Sequence, residues 1–377
     1  MIAGIIFGFL PLGIWLYLAF GRRGFWLLRE RDTDALPDPA HWPSVTVIVP
    51  ARNEADVIAR SIGSILGQDY AGDLRVILVD DQSEDGTGAI ARALNDTRLT
   101  VLDGAPRPSG WTGKLWAMHQ GSQNAGASEF VWFTDADITH RPDTLKSLVA
   151  RAEKDGRVLV SLMARLECRS TAEHFLIPAF VFFFDMLYPF GAVNDPKSPV
   201  AAAAGGCMLA RRAALEAAGG IAAIRHNLID DCALARVLKG HGAIWLGLTD
   251  RSVSLRPYPH LGDIRRMVAR SAYAQLGYSP LQLIGTMLGL VMVYIAPVMT
   301  ALFAWGISQL AGWAAWIVMA VMFQPILRVY RLSPLWGLAL PLIGAFYAWF
   351  TLDSAVQHWR GKGGMWKGRV QAQGGGA

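Results

Sequence analysis

VTVIVPARNEADVIARSIGSIL, residues 45–66, holds the unit from which the fold is built. Its first five residues, VTVIV, are apolar or β-branched without alternation, as in a strand buried on both faces and closed by Pro50. Beyond it Val57, Ile58, Ile62 and Ile65 recur at helical spacing, which predicts an amphipathic helix over 54–66. The unit then repeats. LRVILV (74–79) reads as a second strand and 86–94 as its helix; 98–102, a helix over 115–123 and FVWF (130–133) continue the alternation. Wholly apolar strands separated by helices predict an α/β domain with a Rossmann-like, mostly parallel sheet covered on both sides. Ligands of such sheets bind at the C-terminal ends of the strands.

Acidic residues gather at those ends. The second strand runs into Asp80-Asp81-Gln82-Ser83, and FVWF runs through Thr134 into Asp135-Ala136-Asp137. In an extended segment residues two apart share a side, so Asp135 and Asp137 are expected to converge on one site. Two carboxylates, with phosphate oxygens completing the shell, are a usual way to hold Mg²⁺ or Mn²⁺. His140 and His260 are further candidate ligands, weighed against ordinary hydrogen-bonded roles.

Outside this domain the chain is far more apolar. Over all 377 residues it is 53% hydrophobic and only 17% charged, with mean hydropathy +0.29. A soluble protein carries about a quarter charged residues, so a soluble or disordered chain is excluded. Residues 2–20 are uncharged and long enough to cross a hydrocarbon core of about 30 Å. Arg22 and Arg23 follow that run rather than precede it, so 1–22 reads as an uncleaved anchor. The same arginines place the 43–275 domain on the cytoplasmic side of the inner cell membrane.

Three apolar pieces, 281–307, 311–327 and 335–352, predict a C-terminal membrane region of two or three spans, followed by a basic, flexible tail over 353–377. Three crossings would leave that tail outside, against the charge rule. The shortest piece, 311–327, is therefore expected to be re-entrant or interfacial. FLIPAFVFFFDMLYPF (175–190) is aromatic but interrupted by Pro178 and Asp185, and is expected to lie at the membrane interface. The net charge of +5 resides largely beside the apolar runs, which fits lipid headgroups and not nucleic acid. Cys168, Cys207 and Cys232 form no CxxC, so neither a disulfide framework nor a zinc site is expected.

Taken in order, the motifs resemble those of the family 2 glycosyltransferases of GT-A fold, over about residues 44–270. VIVPARNEA (47–55) resembles the family's opening strand and turn. VDDQSEDGT (79–87) is similar to its nucleotide-binding turn, with Gln82 where glycine is usual. FTDADITH (133–140) resembles the DxD element, GGCMLARRAALEAAGG (205–220) the glycine-rich acceptor segment, and LIDD (228–231) the acidic pair that opens a helix. The layout with GWTGK (110–114) and the tail at 359–369 resembles, more narrowly, the hopene-associated glycosyltransferases.

The resemblance implies roles. Pro50, Glu54, Asp80 and Asp81 would bind the nucleotide of a nucleotide-sugar donor, and Lys114 would lie near its diphosphate. Asp135 and Asp137 would hold Mg²⁺ or Mn²⁺. Asp231 would be the catalytic base, with Asp230 beside it in the usual glutamate position. Gly205, Gly206 and Arg270 would lie on the acceptor side; Arg270 alone survives of the QxxRW or RxxRW pattern, which argues against a processive polymerase. The implied activity is metal-dependent, inverting hexosyl transfer, one sugar at a time, from a nucleotide-sugar to a lipid hydroxyl, with a hopanoid as the narrower expectation. A polyprenyl-phosphate glycosyltransferase and an idle nucleotide-binding scaffold are the alternatives.

Overall fold

A computed structural model describes residues 2–366 and 369–370, with side chains from Gly8 to Gly364. The remaining tail positions, including the glycine run 374–376, lie outside the described residues. In chain order the elements are α1 (Ile2–Leu16), β1 (Val45–Ala51), α2 (Ile58–Leu66), β2 (Leu74–Asp80), α3 (Thr87–Arg92), β3 (Leu99–Asp103), α4 (Gly113–Gln123), β4 (Phe130–Phe133), β5 (Ile138–His140), α5 (Thr144–Lys154), β6 (Leu159–Arg165), α6 (Thr171–Leu187), α7 (Phe190–Val193), β7 (Met208–Arg211), α8 (Arg212–Ala217), α9 (Asp230–Lys239), β8 (Ile244–Ser254), α10 (Leu261–Ala269), α11 (Ala272–Gln275), α12 (Pro280–Leu290), α13 (Ala296–Phe303), α14 (Ile307–Met322), α15 (Gln324–Val329) and α16 (Leu340–Trp359).

They form two compact units. The sheet unit holds Glu30–Glu167 and Ala192–Pro257; the helical unit holds the N-terminal segment to Arg29, Cys168–Gly191 and Tyr258–Gly363. The boundary differs from the predicted 43–275 domain in both directions. The linker after Arg29 joins the sheet, where Arg31 bridges to Leu248 and Asp32 pairs with Arg251, whereas α6 and α10 leave it.

The eight strands run in the order β3-β2-β1-β4-β7-β6-β8-β5. The first four are parallel, as their apolar sequences predict, and β1 is buried along its whole length. The second half is mixed: β7 is antiparallel to β4 and β6, and β5 is antiparallel to β8. Pro50 does not close β1, which continues to Ala51. Pairing of β4 with β1 stops at Ile48, so the missing N–H of Pro50 falls where β1 keeps only β2 as neighbour. Helix α2 starts at Ile58 rather than Glu54, because Asn53 takes a left-handed φ of 49° and residues 54–57 form a turn.

In the helical unit Pro178 does not break the aromatic segment. It lies inside α6, which starts with a capping box of Ser170 and Glu173. Four described helical stretches are long and apolar enough to cross a membrane: Thr171–Val193, Pro280–Phe303, Ile307–Val329 and Pro334–Trp359; Gly8–Gly21 is shorter. The predicted short piece 311–327 is thus part of a stretch as long as its neighbours. Thr171–Val193 cannot cross once, because β6 before it and β7 after it are hydrogen-bonded in one sheet. The predicted tail also starts later, since α16 continues through Asp353 to Trp359.

Candidate active site

Two turns at the C-terminal edge of β1 and β2 are knitted together by the side chains of the VDDQSEDGT stretch. Ser83 Oγ accepts from Asn53 N, Thr87 Oγ1 from Glu54 N and Asp85 Oδ2 from Ala55 N, at 2.8–3.0 Å. Asn53 Oδ1 in return accepts from Glu84 N. Asp85 Oδ1 also accepts from Thr87 N; burial is the largest single influence and raises the Asp85 carboxyl, but these bonds together outweigh it and hold the carboxyl below its usual value. We expect Asp85→Ala to lower stability by about 2 kcal/mol, read as a shift in denaturation midpoint with an unchanged slope.

Asp80 serves the same turn, its Oδ1 accepting from Ser83 N at 3.0 Å. Asp81 is buried, with Arg52 Nη1 3.9 Å from Oδ2 and bonded to the Asp81 and Gln82 carbonyls. Gln82 has φ 56°, the left-handed conformation that explains glycine at this place in the resembled motif.

Asp135 and Asp137 follow β4 in a turn closed by Ile138 N on Asp135 O, not in the extended segment expected. Each is gripped by a different cation. Lys114 Nζ lies 2.8 Å from Asp135 Oδ1 and 2.9 Å from Asp230 Oδ2. Arg256 reaches Asp137 Oδ2 through Nε at 2.7 Å and Glu54 Oε1 through Nη2 at 2.8 Å. Lys114 is set at the start of α4, whose N-cap Thr112 accepts from Leu115 N. Burial alone would lower its ammonium pKa, but Asp135 and Asp230 outweigh burial and hold it above the usual lysine value. Burial raises the Asp135 carboxyl, and Asp137 and Asp230 add to this against the pull of Lys114.

Asp230 and Asp231 open α9, where carboxylates meet unpaired helix N–H groups. Asp231 Oδ2 accepts from Gly205 N at 3.0 Å and Oδ1 from Cys232 N at 2.7 Å. Burial, with the like charge of Asp230 next, pushes its pKa up to about 6. A Cβ on Gly205 would sit 3.2 Å from Lys114 Nζ, so the glycine lets the segment approach the lysine. Lys114, Asp135, Asp230, Asp231 and Gly205 thus form one continuous cluster.

Four other predicted residues are placed elsewhere. Gly206 O accepts from Thr134 Oγ1, a backbone role. His140 is held between Thr134 Oγ1 and Ser252 Oγ, and burial lowers its pKa to about 3. His260 caps α10 with Asp263, and Arg270 is exposed at the other end of that helix, both in the helical unit. Both ring nitrogens of His140 are thus taken by hydroxyls, and among the described residues no group of three or more His, Cys, Asp or Glu is placed to hold an ion. Asp135 and Asp137 offer hard carboxylate oxygens, a donor set that suits Mg²⁺ or Mn²⁺ completed by phosphate and water. Arg52 and Arg256 carry site geometry that the sequence motifs did not reveal. The antiparallel pairing of Ile138 with Ser254 is what brings Arg256 beside Asp137.

Residues 46–219 match the family model "Glycosyl transferase family 2". The succinoglycan biosynthesis protein ExoO of Rhizobium meliloti (strain 1021) is 38% identical over 120 residues, 30% of this chain and 31% of that protein. The 4,4'-diaponeurosporenoate glycosyltransferase of Staphylococcus aureus (strain bovine RF122 / ET3-1) is 36% identical over 114 residues, 30% of this chain and 29% of that protein. The chain therefore spans about a third of the length of these curated relatives. The solved mannosyltransferase PcManGT from Pyrobaculum calidifontis, in complex with GDP-Man and Mn²⁺, superposes with TM-score 0.55 at 22% identity, covering 93% of this chain and 99% of that one. The sheet unit, with its motif-bearing turns at one edge, has the GT-A fold, and the stretch 46–219 is similar to the family 2 glycosyltransferases.

Proposed function

We propose that this chain is a membrane-anchored glycosyltransferase that moves one sugar from a nucleotide-sugar to a lipid hydroxyl. The observation that carries the proposal is Asp231: a carboxyl with pKa about 6, fixed by two backbone N–H groups in the cluster with Lys114 and Asp135. A base of that pKa is ionised at neutral pH yet strong enough to take a proton. Asp231 would remove the acceptor hydroxyl proton as the oxygen forms its bond to the anomeric carbon, and the bond from that carbon to the diphosphate breaks on the opposite side. Inversion follows from the single displacement.

Asp135 and Asp137 are the residues that would hold Mg²⁺ or Mn²⁺, which supplies positive charge to the departing nucleoside diphosphate. Lys114, 2.8 Å from Asp135, would add its ammonium to that charge, and Asp81 with the Pro50–Glu54 turn would receive the nucleotide. Arg256 is a positioning residue, since it fixes Asp137 against Glu54. Arg256→Gln is expected to raise the half-saturating Mn²⁺ concentration about 10- to 100-fold, with partial recovery in Arg256→Lys. A Mn²⁺ titration of initial rates reads this directly.

A hydroxyl acceptor is favoured over a polyprenyl phosphate, which is already anionic and needs no base. The lipid nature of the acceptor is supported by the apolar helices and by a relative named for 4,4'-diaponeurosporenoate. A hopanoid remains the narrower proposal, resting on the sequence layout. Lipid mass spectrometry of cells with and without the gene tests it: a hopanoid that loses one hexose increment supports the proposal, and an unchanged hopanoid fraction rejects that acceptor.

A further inference from the structure

We propose that the helical unit meets the bilayer through three crossings and one re-entrant hairpin, and that the hairpin is the last apolar piece, Pro334–Trp359. The internal packing of the unit fixes the directions. Leu283 meets Ala355 around Tyr273, and the Tyr294 ring fills the space beside Gly344, so Pro280–Phe303 and α16 run antiparallel over their length. Tyr273 N donates to Ser354 Oγ and Arg265 pairs with Asp353, which ties the end of α16 to the segment that precedes Pro280. The chain therefore leaves α16 at the end where it entered α12.

The middle helix makes the return crossing. Gly312 packs on the backbone of Pro297 and Ala301, so α14 descends beside α13 after the short turn at 304–306. α1 runs beside them, Gly8 against Ser308 and Trp15 Nε1 bonded to Val293 O. An odd count over Pro280–Trp359 would put the two ends of that region on opposite faces, which the Leu283 to Ala355 contact forbids.

After α15 the chain turns through exposed Arg328 and Arg331 and climbs back along α14 as a 3₁₀ segment, Pro334–Ala339. Gln324 Nε2 donates to Pro334 O at 3.1 Å, Ala320 packs on Gly337, and Trp316 Nε1 donates to Leu338 O at 3.0 Å. Measured from Val329 at the end of α15 back to Trp316 on α14, the climb covers about 20 Å at about 1.5 Å per residue. It then reverses into α16, whose apolar part ends at Leu352 before Asp353, about 18 Å on the same measure. Both arms fall short of a core of about 30 Å and match each other. Non-helical backbone survives at that depth only where protein groups satisfy it. Here the Trp316 and Gln324 side chains bond the carbonyls of the climbing arm.

This arrangement gathers Arg22, Arg23, Arg328, Arg331, Arg360 and Lys362 at one face, matching acidic headgroups, and removes the parity conflict of three crossings after a cytoplasmic domain.

The test is side-specific labelling of single cysteines, Trp305→Cys, Ser333→Cys and Lys362→Cys, with a membrane-impermeant maleimide in right-side-out and inside-out vesicles bearing the full chain. Labelling after detergent checks that each cysteine is present and reactive, and Asp143→Cys on the sheet unit reports the cytoplasmic side. The expected result is Trp305→Cys labelled from the face opposite to Asp143→Cys, with Ser333→Cys and Lys362→Cys labelled only from the same face. Lys362→Cys reacting on the opposite face means that α16 crosses fully. Ser333→Cys reacting on the opposite face, or on neither, means that the hairpin opens elsewhere. Each of these results overturns the proposal.

Discussion

Asp231→Asn is expected to lower the rate of sugar transfer by about a thousandfold while leaving donor binding close to wild type. The amide keeps an oxygen for the Gly205 N–H bond but cannot take a proton. Wild-type kcat/KM should rise with pH through about 6 and level off above it, because the proton-accepting form is the ionised one and burial with Asp230 has moved its pKa there. In Asp231→Asn that limb disappears and the residual rate is flat across it. A variant that kept the wild-type rate would remove Asp231 as base and bring back the phosphate-acceptor reading. Transfer of radiolabelled sugar to extracted lipid, measured from pH 5 to 8, separates these outcomes.

Asp137→Ala should cost about a hundredfold or more in transfer, and extra Mn²⁺ should not restore it. Two effects combine. The pair that holds the metal loses a carboxylate, and Arg256, released from Asp137, is left with Glu54 at a site that needs its carboxylate ordered. The loss should appear as weaker Mn²⁺ binding by the protein itself, read by calorimetry, as well as in rate. Normal Mn²⁺ binding in Asp137→Ala would move the metal elsewhere.

The first half of the sheet was legible because β1, β2 and β4 are buried on both faces and carry uninterrupted apolar runs; nothing else folds such short runs between helices. The second half was hidden for the opposite reason. MLAR (208–211) lies inside a glycine-rich stretch, and β5 is only three residues, so neither carries a period of its own. Their place is set by pairing across long loops. That pairing positions Arg256, which explains why the carboxylates were found from sequence and one of their cations was not. Lys114 was found because it stands in a motif. Asp80 was placed by its motif, and the structure adds a local bond from Ser83 N that no motif announces. Counting apolar pieces gave lengths but no directions, since hydropathy carries none, whereas the contacts of Trp316 and Gln324 do.

The most direct measurement is product analysis. Purified full-length protein in lipid vesicles is incubated with Mn²⁺, a panel of nucleotide-sugars and a total lipid extract, and the lipids are read by mass spectrometry. The account predicts one lipid gaining a single hexose increment on a hydroxyl, dependent on the metal and lost in Asp231→Asn. Transfer to a lipid phosphate that persists in Asp231→Asn, or no glycolipid from any donor, would contradict it.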